Sequence, residues 1–265
     1  MIDIGVNLLH GQFDHDRSEV LERARAAGVE HLIITGIDVD SSRAAAAFAA
    51  AAGARPRLSS TAGVHPHEAA AAPPGWQQQI DDIARQPEVV AIGETGLDFH
   101  RNFSPPAVQE EVFRDHLLLA RRLTLPVFVH DREAGATVAA CLEEMGPLPA
   151  GVVVHCFTGA RAELMRYLDM GCYIGITGWV CDRRRGQGLR DLVPLVPLDR
   201  LLIETDAPFL RPHNAPGDAH GRRNEPALLS FVAARLAEIY GVWAEDLQAI
   251  TSTNARALFR LGAGP

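Results

Sequence analysis

The sequence predicts a (β/α)8 barrel built as one domain over residues 1–265. Three observations lead there. Eight apolar runs punctuate the chain, most of them continuous rather than alternating, as in parallel strands covered on both faces. Helical patterns lie between them, so strand and helix alternate from end to end. The length is also close to the ~250 residues typical of this barrel.

In order, the runs are MIDIGVNL (1–8), HLIITGI (31–37), LSSTAGVH (58–65), VVAIGETG (89–96), LPVFVHD (125–131), GVVVHCF (151–157), CYIGITGW (172–179) and RLLIETDAP (200–208). After the first, residues 13–28 carry Val20, Leu21, Ala24 and Ala27 on one helical stripe and stop at Gly28. Residues 104–123 read as a helix with Ser104 as its N-cap and proline in the first turn. Residues 158–171 read as a third helix, and 226–260 as one or two closing helices. The Pro-rich stretches 67–76 and 211–226 read as loops. A doubly wound open sheet is the alternative, but DIGVNLLHG lacks the GxGxxG that would follow its first strand.

Hydrophobic residues make up 47% of the chain, enough for a sizeable core. No stretch approaches the ~18 consecutive apolar residues of a membrane span, and with strand one beginning at Ile2 no signal peptide is expected. Cys141, Cys156, Cys172 and Cys181 form no CxxC pair and fit reduced thiols in a cytoplasmic protein. A net charge of −8 disfavours broad nonspecific nucleic-acid binding, though not a local basic patch. All 25 basic residues are arginines. The absence of lysine excludes Schiff-base catalysis, a P-loop lysine and a carbamylated-lysine metal bridge.

In such a barrel the chemistry sits at the C-terminal strand ends. Asn7, Asp38, His65, His67, Glu94, Asp98, His130, Asp131, Arg132, His155, Thr177, Glu204 and Asp206 fall there. Of these, Glu94, His130, His155 and Asp206 form a carboxylate–imidazole set suited to a divalent ion. Unpaired buried charges are expensive, so four such groups at matching strand ends call for a shared partner. A bound divalent ion would lower the pKa of water and polarise a phosphoryl or carbonyl oxygen, with Asp206 placed to take the water's proton.

His65 is the better site candidate of GVHPH. His10, His15, His31, His100, His116, His213 and His220 are expected to be solvated or structural. Cys156, Trp179 and Cys181 are expected to pack. Arginines follow several strand ends, among them Arg101, Arg132, Arg183, Arg184, Arg185, Arg211, Arg222 and Arg223, and their forks suit phosphate oxygens. Phe99, Phe103, Phe157 and Phe209 are candidates for base stacking. Together these groups tilt the substrate toward a phosphodiester.

The ordered set DIGVNL, GVHPH, GETGLDF, PVFVHDRE, VVHCFTG, YIGITGWVCD, LLIETDAPFL and RRNEP resembles the TatD-family metal-dependent deoxyribonucleases along essentially the whole chain. The resemblance implies a barrel, one or two divalent ions (magnesium for activity, with zinc and manganese as alternatives) and 3′-5′ exonuclease action on single-stranded DNA ends, with RNA as a further substrate. It carries metal-ligand roles onto Glu94, His130, His155 and Asp206, and a site-lining role onto His65. Many members carry an HxH pair at the end of strand one, where this chain has Gly5 and Asn7. A second ion is therefore expected to bind weakly or to arrive with substrate.

The expected machinery is thus Glu94, Asp206 and His65 for catalysis, with Arg132, Arg222, Arg223 and Asn7 contacting substrate. No membrane and no obligate protein partner are expected. Two rivals share the motifs: an amide, ester or lactone hydrolase on the same barrel, and a non-catalytic barrel that binds nucleic acid or protein.

Overall fold

Every apolar run becomes a strand in a computed structural model, which describes residues 1–53, 56–216 and 223–262. The strands are β1 (Ile2–Val6), β2 (His31–Ile34), β3 (Arg57–Ala62), β4 (Val89–Asp98), β5 (Val127–Arg132), β6 (Val152–Val154), β7 (Tyr173–Ile176) and β8 (Leu201–Ile203). Each pairs in parallel with the next, in chain order. Closure comes just beyond β8, where the Asp206 N–H donates to the Gly5 carbonyl at 2.9 Å and the Asn7 N–H to the Ala207 carbonyl at 2.8 Å. The open-sheet alternative is thereby excluded.

The helices are α1 (Arg17–Ala26), α2 (Val39–Ala51), α3 (Trp76–Ala84), α4 (Pro106–Leu123), α5 (Gly135–Met145), α6 (Arg161–Asp169), α7 (Gln187–Leu192), α8 (Leu229–Tyr240) and α9 (Ala244–Phe259). Two rim residues turn out to serve local structure. Asp38 caps α2, accepting the Ser41 N–H at 2.6 Å, so it is no part of a catalytic ring. Ser104 does not cap α4, whose N-cap is Pro105. Its hydroxyl instead donates to the His67 carbonyl and accepts the Ala70 N–H, both at 3.0 Å, which ties the loop after β3 to the loop after β4.

Two apolar layers hold the barrel. Between strands and helices runs a continuous shell that includes Phe13, Ile80, Phe113, Val138, Tyr167 and Leu236. Inside the barrel, Ile2, Ile4, Ile33, Phe128, Val153 and Leu202 pack against Leu258 and Phe259 of α9. The α9 end therefore plugs the N-terminal mouth, and polar chemistry is left to the opposite rim. Among the described residues no single helix is long and apolar enough to cross a membrane. The segments Pro226–Tyr240 and Ala244–Phe259 qualify only together, across a 107° bend.

One interior carboxyl makes stability depend on pH. Asp3 is fully buried, accepting the Thr205 N–H at 2.9 Å and its hydroxyl at 2.5 Å. Burial lifts its pKa from 3.8 to about 7, against the pull of those hydrogen bonds. The folded state then holds more protons than the unfolded state between those values. Stability contributed by this group falls as pH rises from about 4 to about 7, by up to about 4 kcal/mol. Asp3→Asn keeps an acceptor toward Thr205 and removes the titration. Urea melts between pH 5 and 8 should show a flatter stability profile for the variant, and an identical slope would refute this origin.

Candidate active site

β4 carries the key carboxylate because its backbone can approach β5 closely. Gly96 lies opposite His130 in the register, at φ 136°. A side chain there would collide with the His130 carbonyl, and only glycine adopts that conformation readily. The glycine after Glu94 thus lets the strand continue beside β5 with Glu94 held at the rim.

Glu94 is 6% exposed, and three imidazoles converge on its Oε1. His155 Nε2 lies at 2.7 Å, His130 Nδ1 at 2.8 Å and His65 Nε2 at 3.2 Å. The carboxylates and histidines of β3, β4, β5 and β6 therefore meet, as the sequence pattern requires. Burial alone would raise the Glu94 pKa, but the charges of His155 and His65 and the hydrogen bonds of His130 and His155 hold it well below the usual carboxylate range. His155 moves the other way: burial opposes its charge, yet Glu94 and Glu204 lift its pKa well above the ordinary imidazole value.

The histidines differ in protonation. His65 Nδ1 accepts the His67 N–H at 3.1 Å. In the neutral ring the proton must then sit on Nε2, facing Glu94 and His130. Burial lowers the His65 pKa to about 4, which favours that neutral form. His65 is therefore built as an N–H donor, although its Nε2 lies among the candidate metal-ligating atoms of His65, Glu94 and His130, all within 4.8 Å of one another. His130 is complementary. Its Nδ1 lies 2.8 Å from Glu94 Oε1, and its Nε2 is buried without a hydrogen-bond partner among the described residues, 3.6 Å from Asp98 Oδ2. Burial opposes its charge, yet Asp98 and Glu94 lift its pKa above the ordinary imidazole value. An imidazole held between two carboxylates, with one ring nitrogen unpartnered, fits a divalent cation that would take the place of its proton.

Asp206 follows β8 at φ 53°, a left-handed conformation that Asp and Asn tolerate better than most residues. Its Oδ1 accepts from Asn7 Nδ2 at 3.0 Å. Asn7 thus orients Asp206. Burial raises the Asp206 pKa to about 7, with Glu94 and Glu204 adding to the rise against the pull of His155. Gly5, the other departure at strand one, is explained by Glu204. A Cβ at position 5 would lie 2.5 Å from Glu204 Oε2 and 3.0 Å from Phe128. No imidazole fits there while Glu204 occupies the space.

Three supporting groups had no assigned role, two at strand ends and one in RRNEP. Asp98 accepts from His67 Nε2 at 2.6 Å and stands beside His130. Glu204 accepts the Cys156 N–H at 2.6 Å, with Oε2 3.5 Å from His155 Nδ1, so it orients that ring from below. Asn224 of RRNEP donates to the carbonyls of Thr205 (2.9 Å) and Phe209 (2.7 Å), clamping the loop that carries Asp206. The i,i+4 spacing of Glu94 and Asp98 and the ETD triplet were the available signals.

The expected substrate contacts divide. Arg223 has its guanidinium engaged by Asp16 at 2.6 and 2.8 Å and by the Gln12 carbonyl at 2.6 Å, over the Phe13 ring. A phosphate would have to displace a bidentate carboxylate, so this arginine serves to anchor α1 to the segment after β8. Arg222 and His220 lie outside the described residues. Among the described residues the Arg132 side chain donates to Thr158 Oγ1 at 3.4 Å and lies 5.8 Å from the centre of the Trp179 ring. Among the phenylalanines, Phe157 is buried in the core, whereas Phe103 (66% exposed) and Phe209 (46%) are exposed and lie edge-on to His67 and His10. His116 is structural, accepting the Val64 N–H at 3.0 Å just before His65.

Fold and site together define a (β/α)8 barrel with a carboxylate–imidazole centre of metal-binding type at its C-terminal rim. The chain belongs to the TatD-related DNase family, whose model matches residues 2–260. It is 48% identical over 266 residues to a Cronobacter turicensis protein named 3′-5′ ssDNA/RNA exonuclease TatD, covering 100% of both chains. A Rahnella relative of the same name is 49% identical over 269 residues, covering 99% of each. Among solved structures, a TatD homologue from Escherichia coli superposes with a TM-score of 0.90 at 28% identity, covering 99% of this chain and 98% of that one.

Proposed function

We propose that this protein is a metal-dependent exonuclease that hydrolyses phosphodiester bonds from the 3′ ends of single-stranded DNA or RNA. The carrying observation is the convergence of three imidazoles within 3.2 Å of one buried Glu94 oxygen. The names of the full-length relatives support the substrate class.

Glu94, His130, His155 and Asp206 would hold a divalent ion, with magnesium the one proposed for activity, and the ion would displace the proton His155 carries toward Glu94. When bound, the ion polarises a phosphoryl oxygen and acidifies water. Asp206, oriented by Asn7, takes the proton of the attacking water. His65, with its proton fixed on Nε2, donates to a phosphate or leaving-group oxygen. Asp98 and Glu204 keep the rings of His130 and His155 in place. The four free cysteines support a cytoplasmic location.

A single strand labelled at its 5′ end should shorten progressively in magnesium, lose all turnover in EDTA, and regain it when metal is returned. Products retaining the 5′ label would confirm removal from the 3′ end. Turnover of small esters or lactones in preference to the oligonucleotide would overturn the reading.

A further inference from the structure

A cavity of about 400 Å³ is lined in part by Arg132, Thr158, Gly159, Trp179 and Arg185, a volume in the range of small-ligand sites. It is made from the loops after β5, β6 and β7. Two of these also carry His130 and His155. Arg132 stands two residues after His130 on β5, so the two side chains share a strand face.

The charges of this cavity are largely assigned. Asp131 accepts from the Tyr167 hydroxyl at 2.7 Å and the Ala134 N–H at 3.2 Å. Glu163 accepts the Ala160 N–H at 2.6 Å, and Glu133 pairs with His100 at 2.8 Å. Arg185 is held by Asp182 through two hydrogen bonds at 3.0 and 3.1 Å while lying 4.5 Å from the centre of the Trp179 ring. Arg132 forms no ion pair among the described residues. It rests near Trp179, which is half-buried and packs against the apolar shell, as its sequence context suggested.

We propose that this cavity is a nucleotide subsite: it seats the nucleotide adjoining the scissile bond, with the phosphate on Arg132 and the base against Trp179. The inference rests on the phosphodiesterase reading and adds a location and two recognition groups to it. An unpaired guanidinium beside an aromatic ring suits a phosphate and a base of a single strand. Such stacking is tolerant of sequence, so the subsite would grip any terminal stretch.

The test uses the full chain in magnesium with a phosphorothioate-linked oligothymidylate, which resists cleavage, followed by tryptophan fluorescence and by anisotropy of a labelled strand. Wild type should show saturable quenching. Trp243→Phe should keep it, and Trp179→Leu should lose it and bind about tenfold more weakly. Trp179→Phe should recover most of the affinity. Arg132→Gln should weaken binding by a similar factor and reduce the salt slope by ~0.7. Quenching that survives Trp179→Leu, or affinities unchanged in both Trp179→Leu and Arg132→Gln, would overturn the subsite. Cleavage of an ordinary strand is scored on the same wild-type sample. Cleavage with unaffected variants refutes the subsite alone. Impaired variant binding without any wild-type cleavage refutes the nuclease reading alone.

Discussion

Glu94→Gln is expected to lower phosphodiester turnover by at least about 10³-fold while leaving the barrel folded. The substitution preserves shape and removes charge. Glu94 Oε1 receives His155, His130 and His65 at 2.7, 2.8 and 3.2 Å. The carboxylate is held charged by these neighbours despite burial. A neutral amide loses that attraction. If its NH2 turned toward the rings, it would also face imidazoles already placed as donors. Either outcome scatters the side chains proposed to hold the ion. The variant should bind divalent metal more weakly by calorimetry, and its His155 should titrate lower because its largest favourable charge is gone. A variant that retained more than a tenth of wild-type turnover at equal metal occupancy would remove Glu94 from the centre of the mechanism.

The strands and the centre were both legible in the sequence, for one reason. A parallel barrel strand is covered on both faces, so it reads as an unbroken apolar run, and any polar residue that ends it stands out. Glu94, His130, His155 and Asp206 each end such a run. What the sequence hid was pairing. Nothing in RRNEP separates an arginine that waits for phosphate from one already bound by Asp16, because that partner lies 207 residues away. Asp38 reads as a rim carboxylate until the Ser41 amide is seen to consume it. The tautomer of His65 depends on one backbone N–H two residues on, in a short 3-10 turn too brief to carry a periodic signal.

The departure at strand one was legible as a difference but not as a cause. Gly5 and Asn7 could have signified only a weaker metal site. The structure gives each a partner. Glu204 fills the volume at Gly5 and orients His155, and Asn7 holds Asp206. The two positions therefore work as a set: one makes room for the carboxylate beside His155, the other holds Asp206, the proposed base.

Asp206→Asn is the sharper test of that aim, since Asp206 is assigned both to ligation and to proton transfer. Asparagine suits the left-handed backbone at φ 53°, where alanine would add strain, and it preserves the acceptor for Asn7 Nδ2. Its amide cannot take a proton near neutral pH. Turnover is expected to fall about 10²–10⁴-fold, the usual contribution of a positioned general base. The two roles separate in a metal titration. If ligation were the whole contribution, saturating magnesium would restore kcat and leave only a raised requirement for metal. If Asp206 takes the proton, kcat stays low at every metal concentration while oligonucleotide affinity changes little. Recovery of wild-type kcat in excess magnesium would reduce Asp206 to a ligand and send the search for a base back to the other carboxylates of the rim.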